Sequence, residues 1–293
     1  MTQQPDPKPR WLKKRLPTGP DFQKVKGLIE KDRLHTVCQE ARCPNIWECF
    51  SQQTATFLIM GSRCTRNCSF CSVEKGPVQP PDPAEPARVA SAARRMGLKY
   101  VVITSVTRDD LPDGGAAFFA RTIDEIHRRI PDALVEVLIP DFQGDAAALQ
   151  TVLNARPDML NHNLETVPRL YPIVRPQANY RRSLQLLNRA QKYNPNLPTK
   201  SGLMLGLGET AAEVRSTLKD LRDAGCRILT LGQYLQPSKA HLPVKRFVPP
   251  AEFDKWQSTA LKLGFSEVAS GPFVRSSYHA KELHQAMGTI LPK

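Results

Sequence analysis

The 293-residue sequence predicts an α/β fold, a partial (β/α)6 TIM-like barrel with N- and C-terminal extensions, on three observations. From Thr54 onward, apolar strand-like runs alternate with helix-like segments. The runs are apolar nearly throughout, as parallel strands covered on both faces must be. Polar and Gly-rich segments follow the strands, where the sites of α/β proteins collect. A doubly wound sheet shares the alternation; six strand ends converging on one site favour the curved form.

Taken in order, the first strand covers 54–60 and runs into a Gly- and Cys-containing loop, 61–71, before a helix over 86–96. The second strand, 100–106 (Tyr-Val-Val-Ile-Thr-Ser-Val), leads through the polar segment 107–115 to a helix over 116–129. Strand and helix follow at 134–140 and 145–155, then at 159–165 and 180–193 with a polar turn at 165–167. The fifth pair is 200–207 and 211–224, joined by Gly206-Leu-Gly-Glu209; the sixth is 228–235 and 250–263, with the loop 236–239 after its strand. The alternation is expected to stop before Thr54 and after about Leu242. The expected division is therefore 1–53, an N-terminal extension carrying three cysteines; 54–241, the barrel; and 242–293, a C-terminal extension. Both flanks are Pro-rich and are expected to wrap the core. No internal repeat or long low-complexity tract is present.

Hydrophobic residues make up 41% and charged residues 24%, which suits a soluble globular protein, and no apolar run reaches the eighteen or so residues that span a bilayer. Residues 1–20 lack the apolar stretch of a secretory signal. A cytoplasmic location is expected, and in that reducing compartment clustered cysteines serve metals or catalysis rather than disulfides. The net charge of +13 steers acidic partners to the surface. Nucleic acid is one such partner and an acidic protein domain another, while paired basic residues on predicted helices read first as solvated faces.

Six of the seven cysteines form two triplets, Cys38/Cys43/Cys49 and Cys64/Cys68/Cys71. Each is one thiolate short of a closed four-ligand cage, so each implies a metal centre with one corner held by something else. Zinc sites usually draw on two Cys or His pairs; His35 offers the first triplet a Cys3His alternative. The seventh, Cys226, reads as a small buried core residue. No Ser/His/Asp or paired-carboxylate constellation stands out.

The C-x3-C-x2-C spacing of Cys64, Cys68 and Cys71, with Phe70 before the last cysteine, resembles the signature of the radical S-adenosylmethionine superfamily. That resemblance implies a [4Fe-4S] cluster whose unique iron takes the amine and carboxylate of S-adenosylmethionine, the source of a 5′-deoxyadenosyl radical. It also implies cofactor contacts at Thr107, Arg108 and Asp109, where these enzymes carry a Gly-rich segment, though a plain GGE is missing. Asn163 and Glu165 are expected at the ribose, and Gly206, in the Gly-rich end of the fifth strand, near the adenine.

The upstream C-x4-C-x5-C of Cys38, Cys43 and Cys49, together with Arg275-Ser-Ser-Tyr278, is similar to the lipoyl synthase family, a likeness running from about Val37 to His279. It implies a second, auxiliary [4Fe-4S] cluster whose fourth ligand is Ser277, a hard and labile partner for iron; spacing does not separate Ser277 from Ser276. The implied reaction inserts two sulfur atoms, drawn from the auxiliary cluster, at C6 and C8 of an octanoyl chain borne by a carrier protein. Implied partners are octanoylated lipoyl domains of 2-oxoacid dehydrogenase complexes or the glycine cleavage H protein, an electron donor and a cluster-assembly carrier, with no nucleic acid and no membrane. His162 is expected to be packing, His279 to support the serine motif, and Gln233, Tyr234 and Gln236 to line an acyl channel. Two other readings are weighed: a radical enzyme acting on RNA has little room for an RNA-binding domain, and a two-cluster electron-transfer protein would need more cysteines.

Overall fold

Buried apolar runs become strands where parallel neighbours cover both faces. The computed structural model describes residues 8–13, 20–52, 54–278 and 280–288. Helix α1 (Pro20–Lys31) precedes the short strand β1 (His35–Thr36), α2 (Val37–Glu40) and α3 (Ile46–Ser51). Then come β2 (Thr56–Ile59), the paired bridges β3 (Arg63–Cys64) and β4 (Glu74–Lys75), and α4 (Glu85–Arg95). The repeating part continues with β5 (Tyr100–Ser105), α5 (Ala116–Arg129), β6 (Leu134–Leu138), α6 (Ala146–Asn154), β7 (Met159–Asn161), α7 (Tyr171–Val174) and α8 (Tyr180–Tyr193). It ends with β8 (Thr199–Leu205), α9 (Ala211–Asp223), β9 (Ile228–Gln233), α10 (Pro250–Lys262), β10 (Glu267–Gly271) and α11 (Ala280–Gly288).

Local chemistry sets the helix starts. Thr210 and Glu213 form a reciprocal capping box at α9, while Asp145 and Asn179 accept backbone N–H groups at the starts of α6 and α8. Proline occupies the first turn of α4 and α10, where its missing N–H costs no hydrogen bond.

The main sheet has eight strands in the order β1-β2-β5-β6-β7-β8-β9-β10. All pairs are parallel except β1 with β2. Alternation does not stop at Leu242, contrary to expectation: α10 is followed by a further parallel strand, β10, with Glu267 opposite Ile228 and Gly271 opposite Gly232. Its Glu-Val-Ala-Ser-Gly sequence is half polar because β10 has a partner on one side only, and so lacks the apolar run of a central strand. The sheet is open, with β1 and β10 at its edges.

Side chains on one face pack against the helices: Val101, Ile103, Val135, Val137 and Leu160 join Val89, Phe119, Ile123 and Ile126 in the core. Burying each such side chain contributes about 1.5–3 kcal/mol. The other face holds a buried polar layer. Lys200 Nζ lies 2.7 Å from Glu136 Oε1, which also accepts Asn161 Nδ2 at 3.2 Å; Tyr100 Oη donates to Glu136 Oε2 at 2.7 Å. Helix α11 packs beneath it, through Ala280 on Tyr100 and Val102 and His284 beside the Tyr100 ring. Along the same face, toward the strands' carboxyl ends, stand Thr104, Leu138, Asn163, Gly202 and Thr230, which line a cavity.

Candidate active site

That cavity, about 510 Å³, is lined by all six cysteines of the two triplets and by Ser276 and Ser277. The Cys64/Cys68/Cys71 loop leaves β2 through Met60 and Gly61, both with left-handed backbone (φ 66° and 91°). The Met60 N–H donates to the buried Glu85 carboxylate at 2.7 Å, holding that turn. Further bonds pin the loop from two sides. Thr65 Oγ1 donates to Thr107 O at 2.9 Å, and Ser69 N and Oγ donate to Val174 O and Ile173 O at 3.0 and 2.8 Å. Cys64 Sγ accepts the N–H groups of Arg66 and Thr107 at 3.4 and 3.3 Å.

Arg66 is the anchor beneath this loop. Its buried guanidinium donates to both Asp109 oxygens, at 2.6 and 2.8 Å, and to Asp141 Oδ1 at 2.6 Å; Arg182 Nε donates to Asp141 Oδ2 at 2.8 Å. Burial by itself raises the Asp141 pKa, but the Arg66 bond and charge, aided by Arg182, overcome it and hold the carboxyl at about 2.

The first triplet is built on turns. Thr36 Oγ1 caps α2, accepting Gln39 N at 3.3 Å, and Cys43 N donates to Cys38 O at 3.0 Å across a turn in which Arg42 is left-handed (φ 49°). Two bonds bring the far end of the chain to this turn: Asn45 Nδ2 donates to Phe273 O at 2.7 Å, and Tyr278 Oη to Glu48 Oε1 at 2.6 Å. Gly232 makes the approach possible, since a side chain there would run into the Val274 carbonyl. His35 is engaged elsewhere, with Nδ1 2.9 Å from Glu40 Oε1, and does not line the cavity, so the Cys3His alternative loses its histidine.

Donor chemistry fits a polynuclear cluster at each triplet. Burial pushes the Cys71 thiol up to about 12, with Cys68 and Cys64 adding to the rise, and burial also raises Cys68. Cys38 is raised by burial and then by Cys43 and Cys49. Buried thiols that disfavour each other's ionisation this way are stabilised as thiolates by a bound metal. Among the described residues, no three Cys, His, Asp or Glu side chains close on one point tightly enough for a single ion. A [4Fe-4S] cluster takes each thiolate on a different iron, so the three cysteines of a triplet need not meet at one point.

The residues expected at the cofactor divide. Phe70, Thr107, Asn163 and Glu165 line the cavity. Arg108, Asp109 and Gly206 do not. Arg108 turns back to pair with Asp110 at 2.7 Å and to reach Met60 O, and Asp109 is taken up by Arg66. Gly206 forms a turn (φ 99°), its N–H donating to Glu209 Oε1 at 2.6 Å and its carbonyl accepting Lys245 N at 2.8 Å. Gly202 is the glycine of the cavity wall. A Cβ there would stand 2.6 Å from Thr230 Oγ1 and 3.0 Å from Asn163 Oδ1. Asn163 Oδ1 is buried with no hydrogen-bond partner, and its Nδ2 donates to Glu165 Oε1 at 3.0 Å, so the carbonyl is an acceptor left open for a ligand.

Strand β7 ends at Asn161 rather than Glu165: Leu164 N donates to the Ser201 hydroxyl in place of a backbone carbonyl, and Glu165, with left-handed backbone (φ 66°), keeps only a bridge to Leu203. Burial raises the Glu165 pKa and the Arg175 charge opposes the rise. Arg175, not singled out from the sequence, donates through Nη1 to Asn163 O and Leu164 O at 2.8 and 3.1 Å and lines the cavity beside Cys68 and Glu165. Arg275, named only within its motif, faces the same cavity near Cys43 and Glu165. A lone arginine in an apolar stretch, Ile173-Val-Arg-Pro176, was the available signal for Arg175.

His162 is buried, as expected of a packing residue, but it also forms part of the cavity wall: Nδ1 meets Ile139 O at 2.8 Å and Nε2 meets Ser183 Oγ at 2.9 Å, and burial lowers its pKa to about 4, keeping the ring neutral. Tyr234 and Gln236 line the cavity, whereas Gln233 is buried among Leu205 O, Arg246 O and Val248 N. Cys226 is fully buried. His279 lies outside the described residues.

Comparison with known proteins gives the arrangement a lineage. Residues 58–221 match the model of the Radical SAM superfamily, and residues 3–43 match that of the N-terminal domain of lipoyl synthase. A lipoyl synthase of Desulfotalea psychrophila is 58% identical over 94% of this chain and 92% of its own, and one of Rubrobacter xylanophilus 56% identical over 94% and 86%. Among solved structures, HydG, a maturase of the [FeFe]-hydrogenase, superposes with a TM-score of 0.53 at 14% identity, covering 90% of this chain and 75% of its own. Streptococcus suis SuiB bound to its precursor peptide gives 0.56 at 10% identity, over 89% and 55%. These two likenesses concern the fold.

Proposed function

The chain belongs to the lipoyl synthase family of the radical S-adenosylmethionine superfamily, and from that membership we propose how its cavity divides the work of inserting sulfur at C6 and C8 of a protein-bound octanoyl chain. The observation that carries the reading is the shared wall: both cysteine triplets, Ser276 and Ser277 face one cavity.

Cys64, Cys68 and Cys71 would hold the superfamily's [4Fe-4S] cluster; Cys38, Cys43, Cys49 and Ser277 would hold a second. When bound, the first cluster with S-adenosylmethionine supplies a hydrogen-abstracting radical, and the second supplies sulfur. The remaining work belongs to the chain. N–H groups of Arg66 and Thr107 aimed at Cys64 Sγ stabilise its thiolate and tune the potential of whatever it holds. Asn163 offers an unpaired acceptor, and Glu165 its carboxyl group, to the ribose hydroxyls. Apolar residues of the wall, among them Leu58, Leu138, Ile139 and Val274, suit an alkyl chain and exclude water from a radical.

The carrier would be an octanoylated lipoyl domain of a 2-oxoacid dehydrogenase complex or the glycine cleavage H protein, attracted by the +13 net charge. An electron donor, a cluster-assembly carrier and a cytoplasmic location belong to the same reading. Among the described residues no helix is long and apolar enough to cross a membrane.

The test is anaerobic reconstitution with iron and sulfide counts, followed by dithionite, S-adenosylmethionine and an octanoylated lipoyl-domain peptide. About eight irons, 5′-deoxyadenosine and a mass gain of two sulfurs are expected. About four irons would remove the second cluster; cofactor cleavage without sulfur in the peptide would refute the division of work.

A further inference from the structure

We propose that His241, in the loop after β9, is a positioning residue for Cys71, and that it couples the cavity wall formed by that loop to the loop carrying the Cys64/Cys68/Cys71 triplet. The proposal rests on the reading of Cys71 as an iron ligand.

His241 Nε2 lies 3.1 Å from the backbone carbonyl of Cys71, 170 residues away in sequence. A carbonyl only accepts, so Nε2 carries the ring hydrogen. Nδ1 is then an acceptor, and it receives the hydroxyl of Ser238 at 2.8 Å. The turn behind the ring is stiffened by its own bonds: His241 N donates to Ser238 O at 3.0 Å, Ala240 N to Ser238 Oγ at 3.3 Å, and Gln236 Nε2 to His241 O at 2.8 Å. The next residue repeats the attachment. Leu242 N donates to Ser69 O at 3.2 Å, and Tyr234 Oη holds Leu242 O at 2.8 Å. Residues 69–71 and 241–242 are thus joined at two adjacent points.

The other side of this turn faces the cavity, where Leu235, Gln236 and Pro237 form part of the wall. A ligand pressing on Gln236 or Pro237 therefore acts on a rigid turn whose imidazole grips the peptide of Cys71. Bonds of this kind, one step removed from a metal ligand, orient the ligand and set how firmly the metal is held. The loop after β9 thereby transmits occupancy of the cavity to the cysteine loop.

The experiment compares wild type, H241A, H241F and H241Q as reconstituted holoenzymes, by iron removal with a chelator and by peptide-level amide exchange with and without an octanoylated lipoyl-domain peptide. His241→Ala and His241→Phe should lose the more labile irons about 10- to 100-fold faster than wild type. Exchange in 69–71 and at Leu242 should rise roughly fivefold, as expected for one lost hydrogen bond. His241→Gln, whose amide also donates, should restore both. In wild type the peptide should slow exchange in 236–242 and in 69–71; in H241F it should slow only 236–242. Wild-type chelation and exchange in H241A, or wild-type behaviour of H241F, would overturn the proposal, as would a Gln variant no better than Ala. If wild type takes up no iron at Cys64/Cys68/Cys71, the cluster reading fails instead, while amide exchange still reports the tie between the two loops.

Discussion

Asp141 offers the sharpest test of how the cysteine loop is supported. Its carboxylate is buried, accepts Arg66 Nη2, Gln143 N and Arg182 Nε, and is held at about 2 against an ordinary 3.8. A displacement of nearly two pH units corresponds to about 2 kcal/mol favouring the folded state at neutral pH. The sign follows from proton uptake. Above about pH 4 the carboxyl is ionised in both folded and unfolded chains and the full contribution is present; as pH falls toward about 2, the unfolded chain binds a proton that the native site refuses, and the contribution is lost. Asp141→Asn keeps the shape and removes the charge, leaving Arg66 with Asp109 alone. Because one partner of a buried pair is withdrawn, the loss should be about 2–4 kcal/mol. Urea unfolding of the metal-free chain, followed by tryptophan fluorescence, should show a midpoint lower by roughly 1 M at pH 7. The gap between variant and wild type should then narrow between pH 4 and pH 2.5. An unchanged midpoint at pH 7, or a gap that persists undiminished at pH 2.5, would refute the charge-pair account.

Other expectations concern the site directly. Cys71→Ala and Cys43→Ala should each cost about half the iron of the reconstituted protein, and a loss of all or none of it in either variant would contradict two separate sites. Ser277→Ala should still release 5′-deoxyadenosine from S-adenosylmethionine but insert no sulfur, whereas Ser276→Ala should keep the full reaction; the reverse pattern would move the fourth ligand to Ser276. His162, buried and neutral with its pKa near 4, takes up a proton on unfolding as pH falls below about 6.5. Stability fully present above pH 6.5 should therefore fall by about 3 kcal/mol on the way to pH 4, and His162→Gln should abolish that part of the slope, measured as urea midpoints at half-unit intervals.

The six apolar runs were legible because a strand flanked by parallel neighbours is solvent-free on both faces, so its composition announces it. β10 was not, since an edge strand carrying Glu267 and Ser270 looks like a loop until its neighbour is known. That the clustered cysteines belong to a site was legible for a different reason: thiols crowded in sequence are costly without a metal, and all six line one cavity. What sequence could not reveal is which arginines are interior. Arg66 reads as a surface residue until Asp109 and Asp141, 43 and 75 residues away, are seen to surround it. The segment after β5 forms a loop at the cavity, but of Thr107, Arg108 and Asp109 only Thr107 reaches the wall; a step of one residue swings Arg108 away to Asp110.

The open edges of the sheet explain why the serine motif and the first cysteine triplet belong together. The triplet follows β1 at one edge; Phe273 to Tyr278 follow β10 at the other. Nothing in the strand order joins these edges, and a gap between them would admit water to the cavity. The bonds Asn45 to Phe273 and Tyr278 to Glu48 lie across that gap, spanning 228 and 230 residues of sequence. Closing the barrel mouth and assembling Cys38, Cys43, Cys49, Ser276 and Ser277 around one wall are therefore the same structural event. A chain cut after Gly271 keeps all six clustered cysteines yet loses both ties and both serines, so the cysteine count alone does not make the site.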